Sequence, residues 1–274
     1  MQEVQTLNTG ISPCPNDTYI FGAWILGLIS DLEGCRTRFF WEDVQHLNEW
    51  AGAAKCQVLK VSASQALDVQ DRYFILSSGG AFGMEHGPKL VARKGLVSRP
   101  QKIAVPGLHT TAYALLRAAL PHAFDPLPMS FDHILDFLKQ GRADAGLLIH
   151  ESALLHKEYG LEVLLDLGRW WREQTHGLPI PLGCIVAHKE LGSFFKVRLE
   201  EQIRRSLDTA RERGSEIKPL VAQMAQELDS RVIDRHIEAY VNAYSRDMGS
   251  QGMEALRVLQ EMKKVEAEAA QGTD

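Results

Sequence analysis

The sequence is short of the residues that most often announce chemistry. Its four cysteines among 274 residues, Cys14, Cys35, Cys56 and Cys184, form neither a CxxC pair nor a cluster with histidine. That excludes the common zinc-binding and dithiol arrangements and fits free thiols in a reducing cytosol. HExxH is absent, and His150-Glu151 and His156-Lys157-Glu158 lack metal-ligand spacing, so no metal is expected. With no GxGxxG and no GxxxxGK[ST] there is no phosphate loop, and without GxSxG there is no serine-hydrolase elbow. The run Gly79-Gly80-Ala81-Phe82-Gly83 is rich in glycine but has neither order, and reads as a turn.

Charge and apolar length remove further classes. A formal net charge of −5 leaves no basic footprint for nucleic acid. The most apolar stretch, 19–29, has 11 residues and contains Gly22 and Gly27, whereas a membrane helix needs about 20. Residues 1–10 carry neither the basic nor the apolar region of a secretory signal. The expectation is a cytoplasmic protein with no nucleic-acid or membrane partner, long enough for about two domains. A homodimer is compatible with the sequence, which does not set an oligomeric state.

What is present alternates short β-type runs with helical spacing, the pattern of an α/β protein. Strands are expected at 6–11, 37–41, 57–61, 73–76, 89–92, 102–105, 145–149, 161–167 and 184–187. Helices are expected near 19–29 and 46–54, around Leu67 and Val69, on to Leu120, and at 131–139. Prolines 13 and 15 bar helix before Tyr19, and Asn16 or Asp17 reads as its cap. From Ser193 onward only helical spacing remains, near 194–212, 216–227, 230–244 and 250–270, the last read as a solvated helix. This organisation predicts one lobe from residues 1–92 and 183–274 and a second inserted at 93–182, with a ligand cleft between them.

Four strand ends could share that cleft: 12–18, 60–62, 109–112 and 150–152. In open α/β sheets ligands gather beyond the carboxyl ends of strands. The apolar run 145–149 reads as a strand buried on both faces, and it ends abruptly in His150. His150 is then either a titratable group facing substrate or a strand end bonded to its loop. His109, Thr110 and Thr111 open a helix, whose free N–H groups and positive dipole end suit a carboxylate or phosphate; plain capping by Thr110 explains the spacing equally. Lys60 can add a charged contact or lie in solvent, and Asn16 and Asp17 read first as caps. Trp170 and Trp171 read as packing rather than a ring-binding wall.

Five segments in this order carry a resemblance: Ser12-Pro-Cys-Pro-Asn-Asp-Thr18, Gly107-x-His-Thr-Thr-Ala-Tyr113, Gly146-Leu-Leu-Ile-His-Glu-Ser152, Gly177-Leu-Pro-Ile-Pro-Leu-Gly183 and Tyr240-Val-Asn-Ala-Tyr-Ser245. Together they closely resemble the 1,4-dihydroxy-6-naphthoate synthases of the futalosine route to menaquinone. The resemblance implies a two-lobed fold like that of type II periplasmic binding proteins. It also implies a carbon–carbon lyase that converts cyclic dehypoxanthine futalosine to 1,4-dihydroxy-6-naphthoate and dihydroxyacetone, with no metal or organic cofactor. The family's catalytic histidine falls on His150, and its substrate-contacting segments fall on Lys60, Val61 and Ser62 and on Thr111 and Ala112. Thr110, with Asn16, Asp17 and His109, completes the expected site. The implied step is proton removal by neutral His150, with hydroxyls of Ser62 and Thr111 holding substrate oxygens. Two alternatives remain at this point: chorismate dehydratase, an enzyme of the same route with a similar fold, and a solute-binding protein that leaves its ligand unchanged.

Overall fold

In the computed structural model, residues 5–96, 98–120, 122–225 and 229–271 are described. Strand β1 (Gln5–Ile11) leads into helix α1 (Pro15–Ile25). Proline is welcome at the first helical position, where its missing N–H would have no intrahelical partner and its φ is preset. The helix therefore starts inside the segment expected to be loop, and Asn16 and Asp17 sit in its first turn instead of capping it. It stops at Ile25, short of residue 29, because Gly27 takes a left-handed φ of 68°. Strand β2 (Cys35–Trp41), helix α2 (Val44–Gly52), strand β3 (Val58–Ser62) and helix α3 (Ala63–Asp68) follow. Asp43 caps α2 by accepting a hydrogen bond from the Gln45 amide at 2.8 Å. Next come β4 (Tyr73–Ile75) and β5 (Ala81–Gly83). Strand β5 lies in the glycine run expected to be a turn; it is held by pairing with a distant segment, which local pattern does not reveal.

The chain then builds β6 (Lys89–Ala92), β7 (Lys102–Val105), α4 (Thr111–Ala119), β8 (Asp125–Pro128), α5 (Phe131–Lys139), β9 (Ala145–Leu148), α6 (His150–Leu155), β10 (Glu162–Asp166) and α7 (Leu167–Thr175). Strand β8 escapes sequence reading because Pro126 and Pro128 argue against a strand, yet at the sheet edge, paired with β7 alone, they are tolerated. Helix α7 lies where the sequence pattern suggests no element. Asp166 caps it by accepting from the Arg169 amide at 3.0 Å, and Trp171, fully buried, donates its indole N–H to the Leu178 carbonyl at 3.0 Å. Strand β11 (Ile180–His188) is followed only by helices: α8 (Ser193–Glu212), α9 (Gly214–Met224), α10 (Ser230–Tyr240), α11 (Ala243–Arg246) and α12 (Gly249–Gln271).

The strands form two mixed sheets. One has the order β2-β1-β3-β11-β4, with β5 also on β11; the other runs β10-β6-β9-β7-β8. Strand β6 pairs antiparallel with both β9 and β10, so the chain changes sheets between Gly83 and Lys89, earlier than the 92/93 boundary expected. It returns before β11 begins at Ile180, again ahead of the expected 182/183. The two crossings touch: a Cβ on Gly87 would lie 2.6 Å from the Gly168 Cα. Lys89 pairs with Asp166 at the same place, and the Leu167 amide donates to the Pro88 carbonyl at 3.0 Å.

Helix α12 is not a free solvated helix as expected. Ala255, Leu256 and Leu259 are buried in the apolar cluster that also holds Leu59 and Val61 from one sheet and Leu90, Ile103 and Leu147 from the other. Lys263 reaches the Ser64 carbonyl at 2.9 Å and Asp68 at 2.7 Å, while Glu266 meets Arg117 of α4 at 2.6 Å. The helix thus braces both halves, and its apolar stripe supplies the burial.

Two stability predictions follow from this packing. A Cβ on Gly146 of β9 would come 2.7 Å from Ile134 Cγ2 of α5. Gly146→Val improves strand propensity but overpacks this contact, and urea unfolding should report a loss of about 1–3 kcal/mol. Burial alone would raise the Asp166 carboxyl pKa, but the Lys89 hydrogen bond and the Arg169 and Gly168 amides outweigh it and hold it below its ordinary value. A depressed carboxyl stabilises the fold above its unfolded pKa and loses that contribution as pH falls through its folded pKa. Asp166→Asn should therefore unfold at lower urea than wild type at neutral pH, and the gap should narrow below about pH 4.

Candidate active site

The carboxyl ends of β1, β3, β7 and β9 converge on one cleft of about 670 Å³, part of it open to solvent. Its walls come from both sheets. Ser12, Asn16, Asp17, Lys60, Val61 and Ser62 line one side, and Thr110, Thr111, Ala112 and His150 the other. Of the residues expected to form the site, Lys60, Val61, Ser62, Thr110, Thr111, Ala112, His150, Asn16 and Asp17 line it, whereas His109 is exposed in the turn before α4.

At the base of the cleft, Lys60 and Asp17 form a buried ion pair. Strand β3 is buried along its whole length, so Lys60 reaches the cleft from inside the sheet. Asp17 is saturated with donors: besides the Lys60 ammonium it accepts from the Ser12 hydroxyl at 2.6 Å and from the Asn16 amide NH₂ at 2.8 Å. Removing two charges from water costs several kcal/mol per ion, which their attraction repays only with further hydrogen bonds; the Ser12 and Asn16 bonds supply these on the Asp17 side. Gly183 permits the arrangement, since a Cβ there would stand 2.7 Å from Lys60 Cε. Asn16 and Asp17 thus serve the scaffold of the cleft floor.

The hydroxyls are also partly committed. Thr110 caps α4, accepting from the Tyr113 amide at 3.2 Å and donating to the Gly107 carbonyl at 2.8 Å, so the capping reading holds. Thr111 donates to the Leu182 carbonyl at 3.1 Å and accepts from the Ser64 amide at 3.0 Å, tying α4 to the opposite sheet. Ser62 accepts from Asn48 Nδ2 at 3.0 Å, while its amide donates to Asn48 Oδ1 at 2.8 Å. Accepting there leaves the Ser62 hydroxyl proton directed elsewhere. Thr111 and Ala112 stand where an α-helix has amides it cannot use internally.

His150 follows central strand β9 after one residue, Ile149, and opens α6 with a left-handed φ of 53°. For a residue with a Cβ this is an uncommon conformation, and such outliers cluster at functional sites. The imidazole is half-buried. Phe131 meets it edge-on at 4.8 Å between ring centroids, and Cys14 Sγ lies 3.5 Å from Nδ1 and 3.8 Å from Nε2. The ring of His236 lies nearly parallel to it, 6.0 Å between centroids and 17° between planes. Ser152 bonds the Ile149 carbonyl at 2.9 Å, closing the turn beneath His150; the Glu151 side chain lies outside the described residues.

Sequence reasoning missed His236 and Tyr240, which line the cleft from α10. The available signal was their separation of four residues, which puts both on one helix face. Among the described residues there is no group of three His, Cys, Asp or Glu side chains able to hold a metal ion, and no helix long and apolar enough to cross a membrane. Trp170 faces a separate groove between α4, α7 and α12 and does not line the cleft.

Known proteins give this geometry a context. The chain is 42% identical to the 1,4-dihydroxy-6-naphthoate synthase of Thermus thermophilus, over 92% of each chain. A protein of Archaeoglobus fulgidus of known crystal structure superposes with a TM-score of 0.89 at 32% identity, covering 96% of this chain and 98% of that one. The periplasmic aliphatic sulphonate binding protein of Escherichia coli superposes with a TM-score of 0.66 at 14% identity, covering 97% and 88%. That last likeness shows the fold: two mixed α/β lobes of periplasmic-binding-protein type. A family model described as menaquinone biosynthesis matches residues 7–264. With its family's model matched along nearly the whole described fold, the chain belongs to the menaquinone biosynthesis family.

Proposed function

We propose that this protein is a 1,4-dihydroxy-6-naphthoate synthase, which takes cyclic dehypoxanthine futalosine to 1,4-dihydroxy-6-naphthoate and dihydroxyacetone. The observation that carries the reading is the place of His150. An imidazole from one lobe opens onto a cleft floored by the Lys60–Asp17 pair and walled by Ser62 and the start of α4. The 42% identity to a named synthase selects the reaction among those such a cleft could host.

In this reading the substrate lies along the cleft with one ring oxygen against the Ser62 hydroxyl, whose proton Asn48 leaves available. Its carboxylate rests near the unused amides of Thr111 and Ala112, where the positive end of the α4 dipole favours negative charge. Neutral His150 removes a proton from the bound substrate. Electron flow then breaks the carbon–carbon bond; the three-carbon fragment leaves with the electron pair and takes back the proton held by His150 to become dihydroxyacetone, and formation of the second aromatic ring makes the step irreversible in practice. Lys60 supplies no free base, because its ammonium is paired with Asp17. The enzyme works in the cytoplasm, a reducing setting that suits its four free thiols.

His150→Gln keeps a polar side chain of similar reach but lacks a base. With the cyclic futalosine derivative as substrate, mass spectrometry should show kcat lowered by about 10²–10⁴-fold, the usual contribution of a positioned base. Near-wild-type turnover by that variant would remove His150 from the role. Tight binding by the wild type with neither naphthoate nor dihydroxyacetone formed would instead favour a solute-binding protein.

A further inference from the structure

The proton-transfer step needs the His150 ring held still, and the residue's own backbone does not hold it. Its left-handed φ of 53° is a conformation that relaxes unless surroundings enforce it. Phe131, from the same lobe, abuts the ring edge-on, and Cys14 Sγ approaches its nitrogens. The face of the ring meets His236, which comes from α10 in the other lobe and is almost fully buried. Near-parallel offset rings at 6.0 Å lie within the range over which aromatic pairs attract.

The orientation of His236 is in turn dictated from the cleft floor. Asp17 only accepts, so the Asn16 amide must turn its NH₂ toward Asp17 and its Oδ1 toward His236. His236 Nε2 lies 3.0 Å from that oxygen, and it must carry the proton that it donates. Tyr240, one helical turn on, packs edge-on against the same ring at 4.9 Å. An unbroken set of contacts therefore runs from Lys60 through Asp17, Asn16 and His236 to the face of His150.

We propose that His236 is a positioning residue for His150: a ring fixed by the Lys60–Asp17–Asn16 network against which the base is stacked when the two lobes meet. The proposal rests on the reading of His150 as the base. It separates two jobs that one side chain performs. The flat ring acts on His150 and hence on turnover; the Nε2–H bond satisfies buried Asn16 and hence acts on stability.

Three variants test this by ranking. His236→Ala should lower kcat about 10–100-fold, the cost of a small misplacement of a reacting group, with KM within about threefold of wild type. His236→Phe restores a flat ring without an N–H, and His236→Gln restores a donor without a ring. The Phe variant should recover kcat better than the Gln variant, while the Gln variant should keep the higher Tm. A purely structural role predicts that kcat and Tm rank the variants alike; that outcome, or an Ala variant with wild-type kcat, overturns the proposal. Crystal structures of the same variants give a second readout that needs no turnover. The His150 ring should keep its plane with Phe and lose it with Ala and Gln, and an unmoved ring in the Ala variant refutes positioning by His236. If the wild type itself forms no naphthoate, the assigned reaction fails, and the crystal structures still decide whether His236 positions His150.

Discussion

The buried pairing of Lys60 with Asp17 is the constraint around which the rest of the site is arranged. Two charges inside a protein are tolerated only if nearly every donor and acceptor on them is used. Here that demand reaches outward in sequence and space. The Ser12 hydroxyl must turn toward Asp17, so the chain after β1 must fold back, and the two prolines with α1 starting at Pro15 bring it there. Asn16 must present its NH₂ to Asp17, which leaves its carbonyl oxygen for His236. Gly183 must lack a side chain, because the Lys60 stem occupies that space. One electrostatic requirement thus specifies residues on the turn after β1, α1, β3, β11 and α10.

The same geometry explains why a binding-protein fold can hold a catalytic group. Binding proteins of this architecture use two lobes as walls around a ligand. In this chain the lobes are tied by more than their crossings. Thr111 bonds Ser64 and Leu182 across the cleft, α12 packs on both halves, and a continuous apolar cluster includes side chains from both sheets. The proposed base, His150, comes from one lobe and the ring stacked on it, His236, from the other, so the lobe arrangement is part of the proposed site. Interactions of that kind favour preorganised chemistry over capture and release.

Much of this was legible in the sequence, and what was not has physical causes. The strand ends at Ser12, Lys60, Thr110 and His150 were visible because apolar runs stop at polar residues there, and the structure brings all four to one cleft. The first helix begins earlier than its prolines suggest because Pro15 stands at the first helical position, where proline is favoured, and not in the interior. Strand β5 and strand β8 were missed because glycine and proline were weighed locally, whereas pairing with β11 and an edge position decide those elements. His236 is hard to place for a different reason. It lies 86 residues beyond His150 in the chain, in a region whose helical spacing alone says nothing of which face meets the cleft.

The left-handed backbone at His150 ties these strands of argument together. A histidine in that conformation costs of order 1–3 kcal/mol, and a packed core would normally relax it. Its persistence requires that the alternatives be worse. Rotating the residue into ordinary helical space would move the ring away from the Phe131 edge, the Cys14 sulfur and the His236 face, and would reopen the turn that Ser152 closes on the Ile149 carbonyl. Those contacts come from three directions and two lobes, so no single neighbour sets the geometry. The strain is therefore held by contacts from the whole cleft, and the proposed base His150 keeps its ring plane only when the floor pair, the α1 turn and α10 are in place together.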